Sequence, residues 1–450
     1  MAESKIIVLD DDPTGSQTVH SCLLLTRWDV DTLVDACVDE SPLFFVLTNT
    51  RGMNASRAAD VTREVCRNLK QALVKLDAEG KPINPIVVSR SDSTLRGHYP
   101  VETDIIAEEL GPFDAHFLVP AFFEGGRVTR GSIHYLVVDG RPVPVHETEF
   151  ARDSVFGYTH SYLPNYVEEK TGGRIVADDV ERFLLEDIRA GSLERLEQLQ
   201  DNRCCVVDAE SQDDLNRFAA DLNEAAGRGK RFLFRSAASL LTALANLPPQ
   251  PIKAEEMYRN VRNARPGAII VGSHVQKTTQ QLQQLLKQPA ITAIEIDVQR
   301  VINDREALLL ETVNDAAQAF KRGNTSVLYT SRTELEFDDQ ETRLQFGESV
   351  SSLLMDVVRN LPQEIGFLIS KGGITSNDVL STGLGLRTSR VLGQILPGCS
   401  VVRCPYNHER YPELPVVIFP GNVGDDSALA TAYRRLAGFD RPGSSGDLAR

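Results

Sequence analysis

Short apolar runs that end in Asp, Ser, Thr or Gly recur along the chain, and they constrain its fold more than any other feature. In the first half they are IIVLDDD at 6–12, FFVLTNT at 44–50, IVVSRSD at 86–92, HFLVPAF at 116–122 and RFLFRSA at 231–237. Runs without polar alternation are typical of strands buried on both faces of a parallel sheet. Between them, as at 55–79 and 209–228, apolar residues recur at helical spacing. The pattern predicts an α/β fold with mainly parallel sheets flanked by helices.

The proline-rich segment LPPQPI at 247–252 interrupts this pattern, and a second series of apolar runs follows it. These runs are AIIVGSH at 268–274, ITAIEID at 291–297, TSVLYTS at 325–331, GFLISKGG at 366–373 and PVVIFPGNVG at 415–424. A chain of 450 residues is long enough for two or three domains. We expect two, residues 1–250 and 251–450, with the active site in the cleft between them. The final residues, GFDRPGSSGDLAR, have little to bury and predict a flexible C-terminal tail.

Charge and cysteine content narrow the range of partners. The formal net charge is −15, and a surface this negative repels nucleic acid and anionic membranes. No apolar run approaches the roughly 18 residues of a membrane helix. The seven cysteines are scattered and lack the spacing of zinc ligands, so we expect small core residues in a reducing compartment. These features predict a cytoplasmic protein without nucleic acid or membrane partners, and they do not decide between a monomer and a homodimer.

Carboxylates, hydroxyls and arginines follow the strand-like runs of the first half. The motifs are Asp10-Asp11-Asp12-Pro13-Thr14-Gly15, Thr48-Asn49-Thr50-Arg51-Gly52, the segment from Ser89 to Gly97 and the segment from Glu124 to Thr129. In open α/β sheets, ligands bind beyond the carboxyl ends of the strands. Arginine can hold a carboxylate with two parallel hydrogen bonds, and Asp can accept from sugar hydroxyls. Any one of these residues could instead cap a helix or join a structural ion pair, but together they favour a site for a small polyhydroxy acid.

Glycine-rich corners follow three runs of the second half, which contains neither a Walker motif nor GxGxxG. The corners are Gly272-Ser273, Lys371-Gly372-Gly373-Ile374-Thr375-Ser376 and the segment from Pro420 to Asp426. Backbone N–H groups at such corners can bind phosphate, although glycine is also common there because it accepts positive φ. Three corners in one sheet favour a nucleotide site over the structural explanation.

Two other features have less decisive interpretations. The polar stretches from His146 to Asp153 and from Thr159 to Ser161 form either a loop that covers the binding crevice or a surface excursion without ligand contact. The isolated histidines His116 and His134 lie in apolar contexts, which favours core residues over ligands.

Six motifs in order carry a resemblance to a known family. They are DDPTGS at 11–16, TNTRG at 48–52, SDSTLRG at 91–97, PAFFEGGRVTRG at 120–131, KGGITS at 371–376 and PGNVG at 420–424. Together they resemble the four-carbon acid sugar kinase family over nearly the whole chain. The resemblance implies an ATP-dependent kinase acting on a threonate-, erythronate- or oxo-tetronate-type acid. It places the acid sugar in residues 1–250 and ATP, which brings Mg²⁺, in residues 251–450.

The motifs also give a set of expected site residues. We expect Asp12 to orient or deprotonate the acceptor hydroxyl and Arg96 to hold the substrate carboxylate. The full set is Asp12 and Asp92 as catalytic residues; Asp11, Arg51, Ser93, Arg96 and Arg127 for the acid; Ser273, Gly372, Gly373, Thr375, Gly421, Asn422 and Gly424 for ATP; and Asp425 and Asp426 for the metal ion. Ser89 or Arg90, and Phe419-Pro420, depart from lysine and Lys-Ser in the family pattern, so the identity of the acid stays open.

A phosphatase or phosphomutase of the haloacid dehalogenase type is the alternative. The residues Asp10, Asp12 and Thr14 fit the DxDxT nucleophile motif of that superfamily. Lys371 and the segment Gly424-Asp425-Asp426 could supply its later lysine and metal-binding acids. Those later groups lie in the other predicted domain, which is awkward for one active site. A non-catalytic acid-binding protein is less favoured, because it would leave the glycine corners without a role.

Overall fold

The computed structural model describes residues 3–332 and 340–441, and the chain forms two compact units, Met1–Pro249 and Gln250–Arg450. Residues 442–450 of the predicted tail lie outside the described residues. Among the residues described, no helix is both long enough and apolar enough to cross a membrane.

The first unit is built on a parallel sheet, as the uninterrupted apolar runs predict. Its described strands are β1 (Glu3–Asp10), β2 (Leu23–Leu25), β3 (Leu43–Leu47), β4 (Ile83–Arg90), β5 (Ala115–Val119), β6 (Arg127–Arg130), β7 (Ile133–Val138), β8 (Arg141–Pro144), β9 (Glu181–Phe183), β10 (Arg203–Val207) and β11 (Phe232–Ser236). The parallel sheet has the order β2-β3-β1-β4-β11-β5-β10-β9. Strands β6, β7 and β8 form a separate antiparallel sheet, which the sequence analysis did not predict.

Helices accompany this sheet and bury their apolar faces. They are α1 (Val30–Cys37), α2 (Ala55–Ala78), α3 (Val101–Leu110), α4 (Leu163–Lys170), α5 (Leu185–Ala190), α6 (Leu193–Gln198), α7 (Gln212–Gly227) and α8 (Ala238–Ala245). The predicted helices at 55–79 and 209–228 are confirmed as α2 and α7. The side chain of Asn54 caps α2, and Val65 and Leu69 of this helix pack in one core with Ile7 and Phe44 of the sheet.

The register of the sheet brings three polar motifs to one edge. Asp10 lies beside Leu47 of β3 and beside Arg90 of β4, and Arg90 lies beside Ser236 of β11. The residues that follow these strands therefore emerge side by side at the carboxyl end of the sheet.

The second unit also has a mainly parallel sheet. Its described strands are β12 (Ala268–Val271), β13 (Ile291–Ile296), β14 (Thr325–Thr330), β15 (Leu368–Lys371), β16 (Thr388–Leu396), β17 (Cys399–Arg403) and β18 (Pro415–Phe419). Strands β13, β14, β12, β15 and β18 are parallel in this order, whereas β17 and β16 continue the sheet in antiparallel pairing. The helices are α9 (Gln276–Leu285), α10 (Arg300–Asn303), α11 (Arg305–Lys321), α12 (Gln340–Asn360), α13 (Gly373–Asp378) and α14 (Ala428–Ala437).

All seven cysteines are buried, as expected for core residues. Burial raises the pKa of the Cys37 thiol to about 11, which keeps it protonated near pH 7.

Candidate active site

Asp11, Asp12 and Arg51 form the centre of the charged edge in the first unit. Arg51 donates two parallel hydrogen bonds to Asp11, from Nη2 to Oδ1 at 2.5 Å and from Nε to Oδ2 at 3.2 Å. Its Nη1 donates to Asp12 Oδ2 at 3.3 Å, and Thr14 donates to Asp12 Oδ1 from both its backbone N–H and its hydroxyl. Burial alone would raise the pKa of Asp12, but Arg51 and the hydrogen bonds from Thr14 hold it below its ordinary value. Asp12 is therefore an ionised acceptor near pH 7.

The turn after β4 adds a second carboxylate with its own arginine. Arg96 Nε donates to Asp92 Oδ2 at 2.9 Å, and the hydroxyl of Thr94 donates to the same oxygen. Burial opposes ionisation of Asp92, but Arg51 and Arg96 bring its pKa well below the usual range. Arg96 also lies 3.7 Å from Asp153 Oδ2 and over the ring of Phe150. The structure thus brings Asp11, Asp12, Arg51, Asp92 and Arg96 together.

The segment from His146 to Ser161 packs against this same turn. Besides the contacts that Phe150 and Asp153 make with Arg96, the hydroxyl of Tyr158 donates to the carbonyl of Thr94 at 2.7 Å. The segment is therefore joined to the residues that carry Asp92 and Arg96. Whether it also contacts a ligand stays a prediction.

Asp10 lies beneath the Asp11–Thr14 turn and is fully buried. A Cβ atom on Gly15 would fall 2.0 Å from Asp10 Oδ2, so glycine is needed where the turn crosses this carboxyl. Arg90 Nε is 4.0 Å from Asp10 Oδ1, too far for a hydrogen bond. Burial raises the pKa of Asp10 to about 8. A nucleophile must reach its substrate, and this coverage argues against Asp10 in the phosphatase alternative.

A buried ion pair lies beside the residues of this site, and it was not predicted from the sequence. Arg235, near the end of β11, donates from Nη1 to Glu102 of α3 at 2.5 Å and to Ser89 at 2.8 Å. Glu102 also accepts from the hydroxyl of Thr50 at 2.5 Å. A Cβ atom on Gly97 would lie 2.5 Å from Arg235 Nη2. The arginine inside the apolar run at 231–237 was the available signal, because a charge in a buried strand requires a partner.

The small antiparallel sheet is joined to the turn after β4 through His134. Its Nδ1 lies 2.9 Å from the hydroxyl of Thr129, and its Nε2 lies 2.8 Å from the carbonyl of Ser93. Burial lowers the pKa of His134 to about 4, so the ring is neutral near pH 7 and Nε2–H donates to Ser93. His134 and His116 are both buried, as expected for core residues.

Arg127 begins this sheet at β6. Its Nη1 donates to the carbonyl of Gly125, and its guanidinium lies 6.0 Å from the centre of the Phe122 ring. Arg127 is close enough to Asp92 and Arg96 for their charges to act on it.

In the second unit, the three glycine corners meet at the carboxyl ends of β12, β15 and β18. A Cβ atom on Gly272 would fall 2.5 Å from Thr375 Oγ1, and one on Gly372 would fall 3.2 Å from the Cβ atom of Ser273. Gly421 is more open, with Ser273 Oγ at 3.8 Å from its Cβ position. Gly373 is the first residue of α13. The structure thus brings Ser273, Gly372, Thr375 and Gly421 together.

Side chains donate hydrogen bonds to the backbone carbonyl groups of the turn that follows β18. Lys371 Nζ donates to Pro420 at 2.5 Å and to Gly421 at 2.9 Å, and Gln281 Nε2 donates to Val423 at 2.9 Å. Burial lowers the pKa of Lys371 to about 7. The backbone N–H groups of Gly421, Asn422, Val423 and Gly424 donate to no other residue that the structure describes, so they are available to a ligand. Asn422 and Gly424 lie exposed on it.

The two acids proposed for the metal ion lie at the start of α14. Asp425 Oδ1 accepts from the backbone N–H of Ser427 at 2.9 Å and from its hydroxyl at 2.8 Å, so it also orders the entry to this helix. Asp426 is exposed beside it. Within residues 3–332 and 340–441, no group of three or more His, Cys, Asp or Glu side chains is placed to hold a metal ion.

Two family models match the chain, one in each unit. The first matches residues 6–244 and is described as a sugar-binding N-terminal domain. The second matches residues 268–429 and is described as a nucleotide-binding C-terminal domain.

Curated relatives and solved structures match over nearly the full length. A D-threonate kinase of Salmonella typhimurium is 26% identical over 449 residues, covering 95% of this chain and 97% of the relative. A D-erythronate kinase of Heliobacterium modesticaldum is 23% identical over 468 residues, covering 96% and 97%. A crystal structure from Salmonella typhimurium, with a provisional tRNA synthase description, has a TM-score of 0.69 at 20% identity and covers 96% of this chain and 99% of that one. At this identity, the structural likeness shows the fold alone.

Proposed function

Because the chain belongs to the four-carbon acid sugar kinase family, we propose that it transfers the terminal phosphoryl group of ATP to a hydroxyl of a small acid sugar. Its class as a kinase follows from the family. The acceptor class is a four-carbon aldonate such as threonate, erythronate or 3-oxo-tetronate. The names of the relatives, a D-threonate kinase and a D-erythronate kinase, support this choice.

The paired carboxylates and arginines of the first unit are the observation that carries the proposal. Ionised Asp12 and Asp92 offer oxygen acceptors to sugar hydroxyls, and arginine offers donors to a carboxylate. Asp12 is our choice for the group that orients or deprotonates the acceptor hydroxyl. The side chain of Asp12 is 22% exposed and that of Asp92 14%, so both are within reach of a ligand. Asp11, Arg51, Ser93, Arg96 and Arg127 complete the proposed acid site.

We assign ATP to the glycine corners of the second unit. The open space at Gly421, the hydroxyls of Ser273 and Thr375, and a turn whose carbonyls are held by Lys371 suit phosphate oxygens. Gly372, Gly373, Asn422 and Gly424 are the remaining members of this proposed site.

Mg²⁺ would be bound mostly by ATP oxygens and water, with Asp425 or Asp426 as the protein contribution. When bound, the ion neutralises charge on the transferring phosphoryl group. The two acids fit this limited role, because carboxylates are hard oxygen ligands and Asp426 is exposed beside the turn.

The direct test is phosphoryl transfer by the purified full chain. The protein is incubated with ATP labelled at the terminal phosphate, Mg²⁺ and a panel of aldonic acids, and the products are separated. We expect label on an acid sugar with one ADP formed per transfer. Reactions without acid, and reactions with the matching neutral alditols, are the controls.

Two outcomes would contradict the proposal. Label trapped on an aspartate, together with phosphate release from a phosphorylated acid in the absence of ATP, would favour the phosphatase alternative. Acid binding without transfer to any member of the panel would favour a non-catalytic binding protein.

A further inference from the structure

The guanidinium of Arg127 is fixed on one edge and unsatisfied on the other. Nη1 donates to the carbonyl of Gly125, and a Cβ atom on Gly125 would fall on Nη1, so this glycine is required for the arrangement. Nε is buried without a hydrogen-bond partner, and Nη2 donates to none of the residues that the structure describes. Nε and Nη2 form the edge through which an arginine binds a carboxylate with two parallel hydrogen bonds.

The other arginines of the acid site already face carboxylates of the protein. Arg51 is paired with Asp11 and Asp12. Arg96 lies between Asp92 at 2.9 Å and Asp153 at 3.7 Å. In contrast, Arg127 has no carboxylate within ion-pair distance among the described residues. A buried Nε–H without an acceptor is costly, and a ligand carboxylate would remove that cost.

Arg127 is located where it could contact the carboxylate of such a ligand. Arg127 opens β6, and the next turns of this sheet are fixed to Ser93 through Thr129 and His134. The sheet that begins with Arg127 therefore contacts the turn that carries Asp92, and the charges of Asp92 and Arg96 act on Arg127. A short acid could therefore present hydroxyls to the aspartates and its carboxylate to Arg127.

We propose that Arg127, and not Arg96, binds the carboxylate of the substrate and sets the preference for acids over neutral polyols. The inference rests on the proposed function, since it names the residue that recognises the acid. Arg96, already paired with Asp92 and close to Asp153, contributes to the acid site by orienting Asp92 and not by binding the ligand carboxylate.

The experiment compares Arg127→Gln with Arg130→Gln in the full chain. Arg130 lies on the same strand, is exposed and pairs with Glu210, so its variant makes the same charge change away from the site. Binding of threonate and erythronate is measured by calorimetry, and binding of the matching alditols, threitol and erythritol, by displacement. We expect Arg127→Gln to weaken acid binding roughly ten- to a hundred-fold and to leave alditol binding unchanged. Arg130→Gln should match the unmodified protein.

Arg127→Lys separates charge from geometry. It retains the cation but loses the planar fork, so we expect acid binding between that of the unmodified protein and Arg127→Gln. Equal losses for acid and alditol, or full acid affinity in Arg127→Gln, would overturn the inference while leaving the kinase proposal intact. If the unmodified protein binds none of the acids, the proposed function fails and the inference fails with it. The fluorescence of Trp28, the single tryptophan, verifies that each variant is folded.

Discussion

Replacing Asp10 with Asn is expected to make the first unit more stable at neutral pH. The carboxyl of Asp10 is fully buried under Gly15, its Oδ2 has no hydrogen-bond partner, and Arg90 Nε remains 4.0 Å away. Burial raises its pKa to about 8 from an ordinary value near 3.8. The folded state therefore keeps a proton that the unfolded chain releases above about pH 4.

The sign and size of the effect follow from proton linkage. Because the pKa is raised in the folded state, the stabilisation from the bound proton is complete below pH 3.8 and is lost as the pH rises towards 8. Each pH unit in this window removes at most about 1.4 kcal/mol from the free energy of unfolding. From pH 5 to pH 7, the free energy of unfolding should fall by up to about 3 kcal/mol more in the unmodified protein than in Asp10→Asn. The variant has no proton to release at this position.

Trp28 makes the measurement specific to the first unit, since it packs against the core that contains Leu9 and Val87. Urea unfolding followed by its fluorescence, at pH 5, 6 and 7, gives the free energy of unfolding of both proteins. Subtracting the two curves cancels the titration of all other groups. Phosphoryl transfer by Asp10→Asn is measured in parallel and is expected to persist, because Asp10 is covered by the turn.

Two results would refute this reasoning. A stability difference that does not grow between pH 5 and pH 7 would show that Asp10 is ionised in the folded protein, with Arg90 as an effective partner. An inactive but well-folded Asp10→Asn would show that this carboxyl takes part in the chemistry, as the phosphatase alternative requires.

Three further predictions concern the two proposed sites and their support. Asp12→Asn should lower kcat about 10²–10⁴-fold while calorimetry still detects binding of acid and ATP, and unchanged turnover would exclude a role in positioning the hydroxyl. Gly421→Val should abolish ATP binding in calorimetry, because the valine side chain fills the open space at the corner. The control Gly347→Val, at an exposed position of α12 with nothing within 4 Å, should retain ATP binding. Equal ATP affinities of the two variants would show that the phosphates do not bind at Gly421. Glu102→Leu should cost about 3–5 kcal/mol of unfolding free energy by the same fluorescence signal, and adding Arg235→Met should recover much of it; no recovery would mean that the cost does not come from an unpaired Arg235.

The sequence predicted most strands of the parallel sheets because strands such as β3 and β12 are buried on both faces and are therefore continuously apolar. Strand β16 was missed for the opposite reason, since its residues alternate between buried and partly buried positions and form no apolar run. The strands β6 to β8 were missed likewise, because they carry polar and partly exposed residues such as those of Arg127–Arg130.

The convergence of Asp12, Arg51 and Asp92 was predictable, because they follow strands that a parallel sheet places side by side. Which arginine faces which carboxylate was not predictable, since pairs such as Arg51 with Asp11 are 40 residues apart and depend on side-chain direction. The burial of Asp10 was also hidden, because it depends on Gly15 passing directly over the carboxyl.

The fixed side chains of the site arginines lower the entropy cost of binding a small ligand. Fixing a free arginine side chain costs up to about 2 kcal/mol of rotamer entropy. Arg51 and Arg96 are already fixed by carboxylates, and Arg127 by a carbonyl and an aromatic ring. That loss occurs when the chain folds and is not repeated when a ligand arrives. The proposed four-carbon acid, which has few atoms to contribute, would therefore lose none of its contact free energy to ordering these three side chains.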